Sequence, residues 1–220
     1  MSTYYQGKRA TTYNRTWKAF SEKTLTATLD YVDTLRLYET PRGQEKPVRI
    51  LDAACGTGLL LKKLASLFPQ AELYGIDQSP DMLTQAQKLL ADEPRFHLTQ
   101  GSLSSSRIRA LPYQPASFDL ITCTNTFHYL DDPQAVLRGL TTLLTPGGQL
   151  VVEDYARRSF PFPWRPFEWL IKRVDPQHNR AYTRLEAQQI CEAAGFHILA
   201  ASDFSAGLLW QCWVIRAALK

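Results

Sequence analysis

The sequence predicts an α/β fold on a mainly parallel sheet, and three observations carry that expectation. An apolar run from Val48 to Leu51, broken by Arg49, ends in Asp52. Gly56 and Gly58 follow, and then Leu60, Leu61, Leu64, Leu67 and Phe68 recur at helical spacing, so strand, glycine turn and helix succeed one another directly. Nineteen residues after Gly58, a second strand-like run, Leu73-Tyr74-Gly75-Ile76, ends in Asp77. Strand and helix patterns go on alternating beyond it, as a parallel sheet requires. A strand, a glycine loop and a helix N-terminus make a nucleotide-type site at the carboxyl edge of such a sheet. Glycines without a Cβ let the backbone approach a ligand closely, and an acid at Asp77 is placed to accept hydrogen bonds from both hydroxyls of a ribose.

The run Asp52-Ala53-Ala54-Cys55-Gly56-Thr57-Gly58 resembles the first motif of the class I S-adenosylmethionine-dependent methyltransferases, a strand ending in an acid and followed by a Gly loop. The resemblance runs from about Val48 to Tyr155 and extends toward the C-terminus. It implies a Rossmann-like, seven-stranded, mostly parallel sheet with helices on both faces and the last strand antiparallel. It also implies one domain over residues 1–220: a cap segment and helix (1–46), a cofactor core (47–155), a lid-like insertion (156–182), and a C-terminal helix and hairpin (183–220). Ala54 stands where the family usually has Gly, a change of one methyl group. The nearest competitor is the dinucleotide fingerprint G-x-G-x-x-G of NAD-type oxidoreductases, but its third Gly would fall at Leu61.

A length of 220 residues fits one α/β domain with small additions. A hydrophobic share of 45% supplies a sizeable core. The net charge of +4 comes from scattered basic residues, whereas nucleic-acid binding favours a concentrated stripe. No apolar run approaches the roughly 20 residues that span a bilayer, and the first residues lack the apolar core of a signal peptide. Cys55, Cys123, Cys191 and Cys212 are far apart and show no metal-ligand spacing. The expectation is a reduced, cytoplasmic protein, monomer or homodimer, with a small-molecule partner and no metal.

Residues 1 to about 16 are polar and aromatic; Leu25, Leu29 and Val32 then mark an amphipathic helix. Relatives use such a segment to cap the cofactor, which points to Tyr13, Asn14, Arg15 or Trp17. Residues 40–47, with two prolines and a glycine, read as a linker. Ser79, Pro80 and Asp81 start a helix as N-cap, first helical residue and dipole partner, and it should run to about Leu90. By resemblance Gln78 and Met82 flank the adenine. Residues 95–100 alternate as a third strand. Gly101, Ser102 and Leu103 then complete the adenine site, with Ser102 replacing the acid that relatives commonly carry. Residues 117–124 form the fourth strand. Asn125 beyond it matches a polar residue beside the methionine portion of the cofactor, and His128 a position near the transferred methyl. Asp132-Pro133 starts another helix, and Pro146-Gly147-Gly148 turns into a fifth strand over residues 149–153. Thr183-Arg184-Leu185-Glu186 is a capping box, Gly195 a helix stop, and residues 196–204 and 208–217 a closing hairpin.

A sulfonium methyl is already a strong electrophile, so transfer asks chiefly for alignment and exclusion of water. No triad or metal cluster is needed. A general base helps only if the acceptor loses a proton. His128 is the best-placed candidate; Asp154 and Tyr155 are weaker. Residues 160–169 combine three prolines with Phe and Trp, the composition expected of a lid over an apolar or aromatic acceptor, quinone-like or phenolic. Trp17, Tyr155, Phe162 and Trp164 are the candidate acceptor contacts. Arg157, Arg158, Arg165, Lys172, Arg173 and Arg180 are placed to meet an acidic acceptor or to form a solvated face. A cofactor-binding protein without transfer activity is the third reading.

Overall fold

The computed structural model describes residues 5–39, 46–90, 93–159 and 161–220. Most of the linker expected over 40–47, and Phe160, lie outside them. Helices α1 (Lys8–Thr16), α2 (Lys18–Asp30) and α3 (Thr34–Glu39) precede β1 (Arg49–Ala53). Then come α4 (Leu59–Leu67), β2 (Glu72–Asp77), α5 (Pro80–Leu90), β3 (Phe96–Gln100), β4 (Phe118–Thr124), α6 (Pro133–Thr141) and β5 (Leu144–Tyr155). Helices α7 (Trp164–Val174) and α8 (Arg184–Ala193) lead to β6 (Phe196–Ser205) and β7 (Gln211–Leu219). The sheet runs β3-β2-β1-β4-β5-β7-β6. Strands β1 to β5 are parallel, and β7 lies antiparallel between β5 and β6. This is the seven-stranded, mostly parallel arrangement expected.

One sheet face packs Leu51, Ile76, Ile121, Val152 and Trp213 against α6 and α8. The other packs Ile50, Leu73, Leu120 and Val151 against α2, α4 and α5. The capping box at Thr183 forms in full, and Asp132 caps α6 through the Ala135 N–H. Within the segment read as a cofactor cap, α1 is helical and packs on α5 and α2. Val32 lies beyond the end of α2, although it is buried with Leu25 as its spacing suggested.

The segment rich in proline and aromatics, read as part of a lid, takes regular structure. From Trp164 onward it is helix α7, with Pro166 in the first turn, where a backbone N–H has no partner to lose. Trp164 is buried in a satellite cluster with Tyr155, Ala206 and Cys212, and Phe162 packs on that cluster.

Gly58 caps the N-terminus of α4 in the left-handed region, at φ 80°. A Cβ there would lie 2.9 Å from Leu90 Cδ1 and 3.2 Å from Ala86 Cβ, so its lost side chain makes room for α5, not for a ligand. Left-handed strain costs roughly 1–2 kcal/mol and overpacking about 1–3 kcal/mol. Gly58→Ala should therefore lower unfolding free energy by roughly 2–5 kcal/mol in urea titration. A loss of cofactor affinity with stability intact would contradict this packing role.

Candidate functional site

The carboxyl ends of β1, β2 and β4 open into a chamber of about 290 Å³. Its floor is held by Asp77. One carboxylate oxygen accepts the Gly56 N–H at 2.9 Å and the other the Ser79 N–H at 2.8 Å. The loops after β1 and β2 are thereby tied to one side chain. A carboxylate has about four acceptor positions, so roughly half its capacity remains for a ligand. Gly56 sits at φ 53°, and a Cβ built on it would meet only Met82 Cε, at 3.7 Å. Ala54, at φ 67°, adopts the same left-handed geometry with a methyl group attached; the substitution is accommodated by strain of about 1 kcal/mol.

Asp52, Ala54, Cys55, Gly56, Asp77, Gln78, Met82, Gly101, Ser102, Leu103, Asn125 and Tyr13 all line this chamber. Gly58 does not, for the packing reason given above. Gly101 has no room for a Cβ, which would fall 2.4 Å from Ile76 Cδ1. Helix α1 lies over the opening. Asn14 accepts the Thr57 hydroxyl at 2.6 Å, and the Tyr5 carbonyl accepts the Ser79 hydroxyl at 2.6 Å. Burial, assisted by Asp77 and other acids, pushes the Tyr13 phenol up to about 12, so it stays protonated.

A second chamber of about 230 Å³ adjoins the first and shares Tyr5, Tyr13, Asn125 and Tyr129 with it. His128 and Tyr155 line it, as does Trp17 from the α1–α2 junction. Phe162 and Trp164 do not; their rings face the satellite cluster, and Phe167, Leu170, Ile171 and Val174 of α7 form the wall instead. The spacing of those four residues marks an amphipathic face, so the signal was present but hidden behind the prolines. Phe20 and Trp210 carried no such signal.

His128 is held firmly. Its backbone N–H donates to Asp154 Oδ2 at 2.7 Å, and its ring Nδ1 lies 2.8 Å from both Asp154 oxygens. The Tyr155 N–H also donates to Asp154. Because the carboxylate accepts, Nδ1 carries the proton and Nε2 offers a lone pair. The His128 carbonyl in turn accepts the N–H groups of Asn179 and Arg180, fixing the segment after α7 against this turn. Among the described residues no group of His, Cys, Asp and Glu is arranged to hold a metal.

Asp52 is buried at the end of β1 and accepts the Thr122 hydroxyl at 2.9 Å. Burial, opposed by that hydrogen bond and reinforced by Asp77, raises its carboxyl from 3.8 to about 7. The folded chain therefore keeps a proton that the unfolded chain releases. Its stability should fall as pH rises from about 4 toward about 7, and level off above. Asp52→Asn keeps an acceptor for Thr122 and removes the titration. Urea titrations at acidic and mildly alkaline pH should show the parent losing roughly 4 kcal/mol more than the variant. Equal losses would exclude Asp52 as the source.

A family model for a methyltransferase domain matches residues 51–150. The ubiquinone biosynthesis O-methyltransferase of Xanthomonas euvesicatoria pv. vesicatoria is 32% identical over 224 aligned positions, covering 97% of this chain and 87% of the relative. The malonyl-[acyl-carrier protein] O-methyltransferase 1 of Ilyobacter polytropus is 26% identical over 164 positions; the match takes in 73% of this chain but only 57% of that relative's length. The fold is shared with phosphoethanolamine N-methyltransferase 2 of Haemonchus contortus, solved in complex with S-adenosyl-L-methionine, at a TM-score of 0.73 and 16% identity over 99% of this chain and 58% of that one. Motif, sheet order and relatives agree, and the chain belongs to the class I S-adenosylmethionine-dependent methyltransferases.

Proposed function

We propose that this enzyme methylates a hydroxyl group of a small apolar or aromatic acceptor, with the cofactor in the first chamber and the acceptor in the second. The observation that carries the reading is the wall common to the two chambers, beside which His128 is locked by Asp154. The O-methyltransferase relatives favour oxygen as the accepting atom. The first chamber fits the cofactor on its own terms: Gly56 leaves its backbone uncovered, and the buried Asn125 Oδ1 has no hydrogen-bond partner among the described residues.

In this reading Asp77 receives the ribose hydroxyls while continuing to hold the Gly56 and Ser79 amides. Gln78, Met82, Gly101, Ser102 and Leu103 enclose the adenine. Asp52, Ala54, Cys55 and Asn125 surround the methionine portion. Tyr13 closes the site from α1. When bound, S-adenosylmethionine supplies an electrophilic methyl group. Trp17, Phe20, Phe167 and Trp210 exclude water and offer apolar walls to the acceptor. His128 Nε2 takes the proton of the acceptor hydroxyl, and Asp154 stabilises the resulting imidazolium. The oxidoreductase alternative is disfavoured: the third glycine it needs is Leu61, a fully buried residue of α4.

Asp77→Ala should weaken binding of S-adenosylmethionine by roughly 1.5–3 kcal/mol in calorimetry. Unchanged affinity in a folded variant would remove Asp77 from the ribose. His128→Ala should lower kcat by about 10²–10⁴ with cofactor affinity retained, and Asp154→Asn should lower it through the wrong imidazole tautomer. The acceptor class is tested by incubating the enzyme with isotopically labelled S-adenosylmethionine and a metabolite extract, then identifying the labelled product by mass spectrometry. A product methylated on nitrogen or carbon would overturn the hydroxyl assignment.

A further inference from the structure

Behind the second chamber lies a buried chain of polar groups. The Tyr155 hydroxyl is 2.6 Å from His178 Nδ1, and His178 Nε2 is 3.0 Å from Glu168 Oε1. The His178 side chain is fully shielded and does not line the chamber, while Glu168 is 22% exposed. The Ala181 N–H also donates to Glu168.

The direction of these bonds follows from their end. A carboxylate only accepts, so His178 Nε2 carries the ring proton and donates to Glu168. His178 Nδ1 must then accept, and Tyr155 must donate to it. The Tyr155 oxygen is left with lone pairs for its remaining contacts. Burial lowers the proton affinity of His178, which favours this neutral ring. Burial works against Glu168 ionisation, but its bonds from His178 and Ala181 hold its carboxyl below the usual range.

Two neighbouring groups are polarised in the same sense. Asp154 accepts a hydrogen bond from His128 Nδ1–H, leaving Nε2 as an acceptor. The Thr24 hydroxyl donates to the Ser21 carbonyl, so its oxygen accepts from Asn125 Nδ2 at 2.9 Å and the Asn125 Oδ1 is left over. The rings of His128 and Tyr155 lie 4.4 Å apart, centroid to centroid.

We infer that Glu168 and His178 are positioning residues that fix Tyr155 as a hydrogen-bond acceptor. Together with His128 it makes this end of the chamber select molecules presenting hydroxyl donors over those presenting carbonyls or ethers. The inference rests on the second chamber being the acceptor site. A carbonyl or ether oxygen placed there would set lone pair against lone pair, and its desolvation would go uncompensated. Neither Glu168 nor His178 contacts the acceptor; they act through the phenol.

The test compares binding of phenol and of anisole, its methyl ether, to the enzyme saturated with S-adenosylhomocysteine. The parent enzyme should prefer phenol by roughly tenfold. Glu168→Gln allows a side-chain amide to donate to His178 Nε2, which frees the imidazole to reverse. The preference should fall to within about threefold, with melting temperature and S-adenosylhomocysteine affinity unchanged. Tyr155→Phe, which removes the acceptor, should do the same. Nitrogen-15 NMR of the histidine rings gives an independent readout: His178 should be protonated on Nε2 in the parent enzyme and lose that exclusive tautomer in Glu168→Gln. Retention of the preference in Glu168→Gln, or protonation of His178 on Nδ1 in the parent, would overturn the inference. Failure of both probes to bind the parent would overturn it too, along with the placement of the acceptor, while an intact response to S-adenosylhomocysteine would leave the cofactor site standing.

Discussion

The geometry of the first chamber depends on what the Asp77 carboxylate does inside the protein. Its two oxygens hold the Gly56 amide from the loop after β1 and the Ser79 amide that precedes α5. These loops leave adjacent parallel strands, which the Cys55 N–H still joins through the Ile76 carbonyl at 2.9 Å. Beyond that bond one acid spans both loops. The cost is visible in the raised proton affinity of Asp77, caused by burial and only partly offset by those amide bonds. A ligand that donates to Asp77 therefore meets a group already positioned, and the entropy of ordering both loops has been met in folding rather than in binding.

Most of the scaffold was legible because its signals are local. Strand runs ending in Asp52 and Asp77, the Ser79 and Asp132 caps, and the Thr183 capping box each need only a few consecutive residues. The chamber lining after β1, β2 and β3 followed, since a parallel sheet brings those loop ends to one edge. A glycine needed for backbone conformation and helix packing looks the same in sequence as one needed for ligand approach, so the packing of Gly58 on Leu90 and Ala86 could not be read from it. Aromatic composition does not say which way a ring faces, so the satellite cluster around Trp164 was not legible either. His178 was invisible: a histidine in a polar stretch acquires meaning only when Tyr155 from β5 and Glu168 from α7 arrive beside it.

The relatives fix the family and leave the acceptor open. His128 and Tyr155 line the second chamber together with Trp17, Phe20 and Trp210, and the Tyr155 ring meets Trp210 edge to face. Trp17, Phe20 and Trp210 meet edge to face, an arrangement that keeps ring edges and faces in electrostatic register while filling space.

Helix α1 is fastened differently from the elements behind it. At the far end of α2, the Gln149 side chain mimics a strand partner, donating to the Asp33 carbonyl at 2.8 Å and accepting its N–H at 3.0 Å. Arg216 adds an ion pair to Asp33. Over the chambers, by contrast, α1 and Tyr5 ahead of it are joined through Asn14 to Thr57, Ser79 to Tyr5, and Tyr5 to Tyr129, contacts that water can replace one at a time. Tyr13 stands on that helix and lines both compartments, so any change in the seating of α1 is felt in both at once.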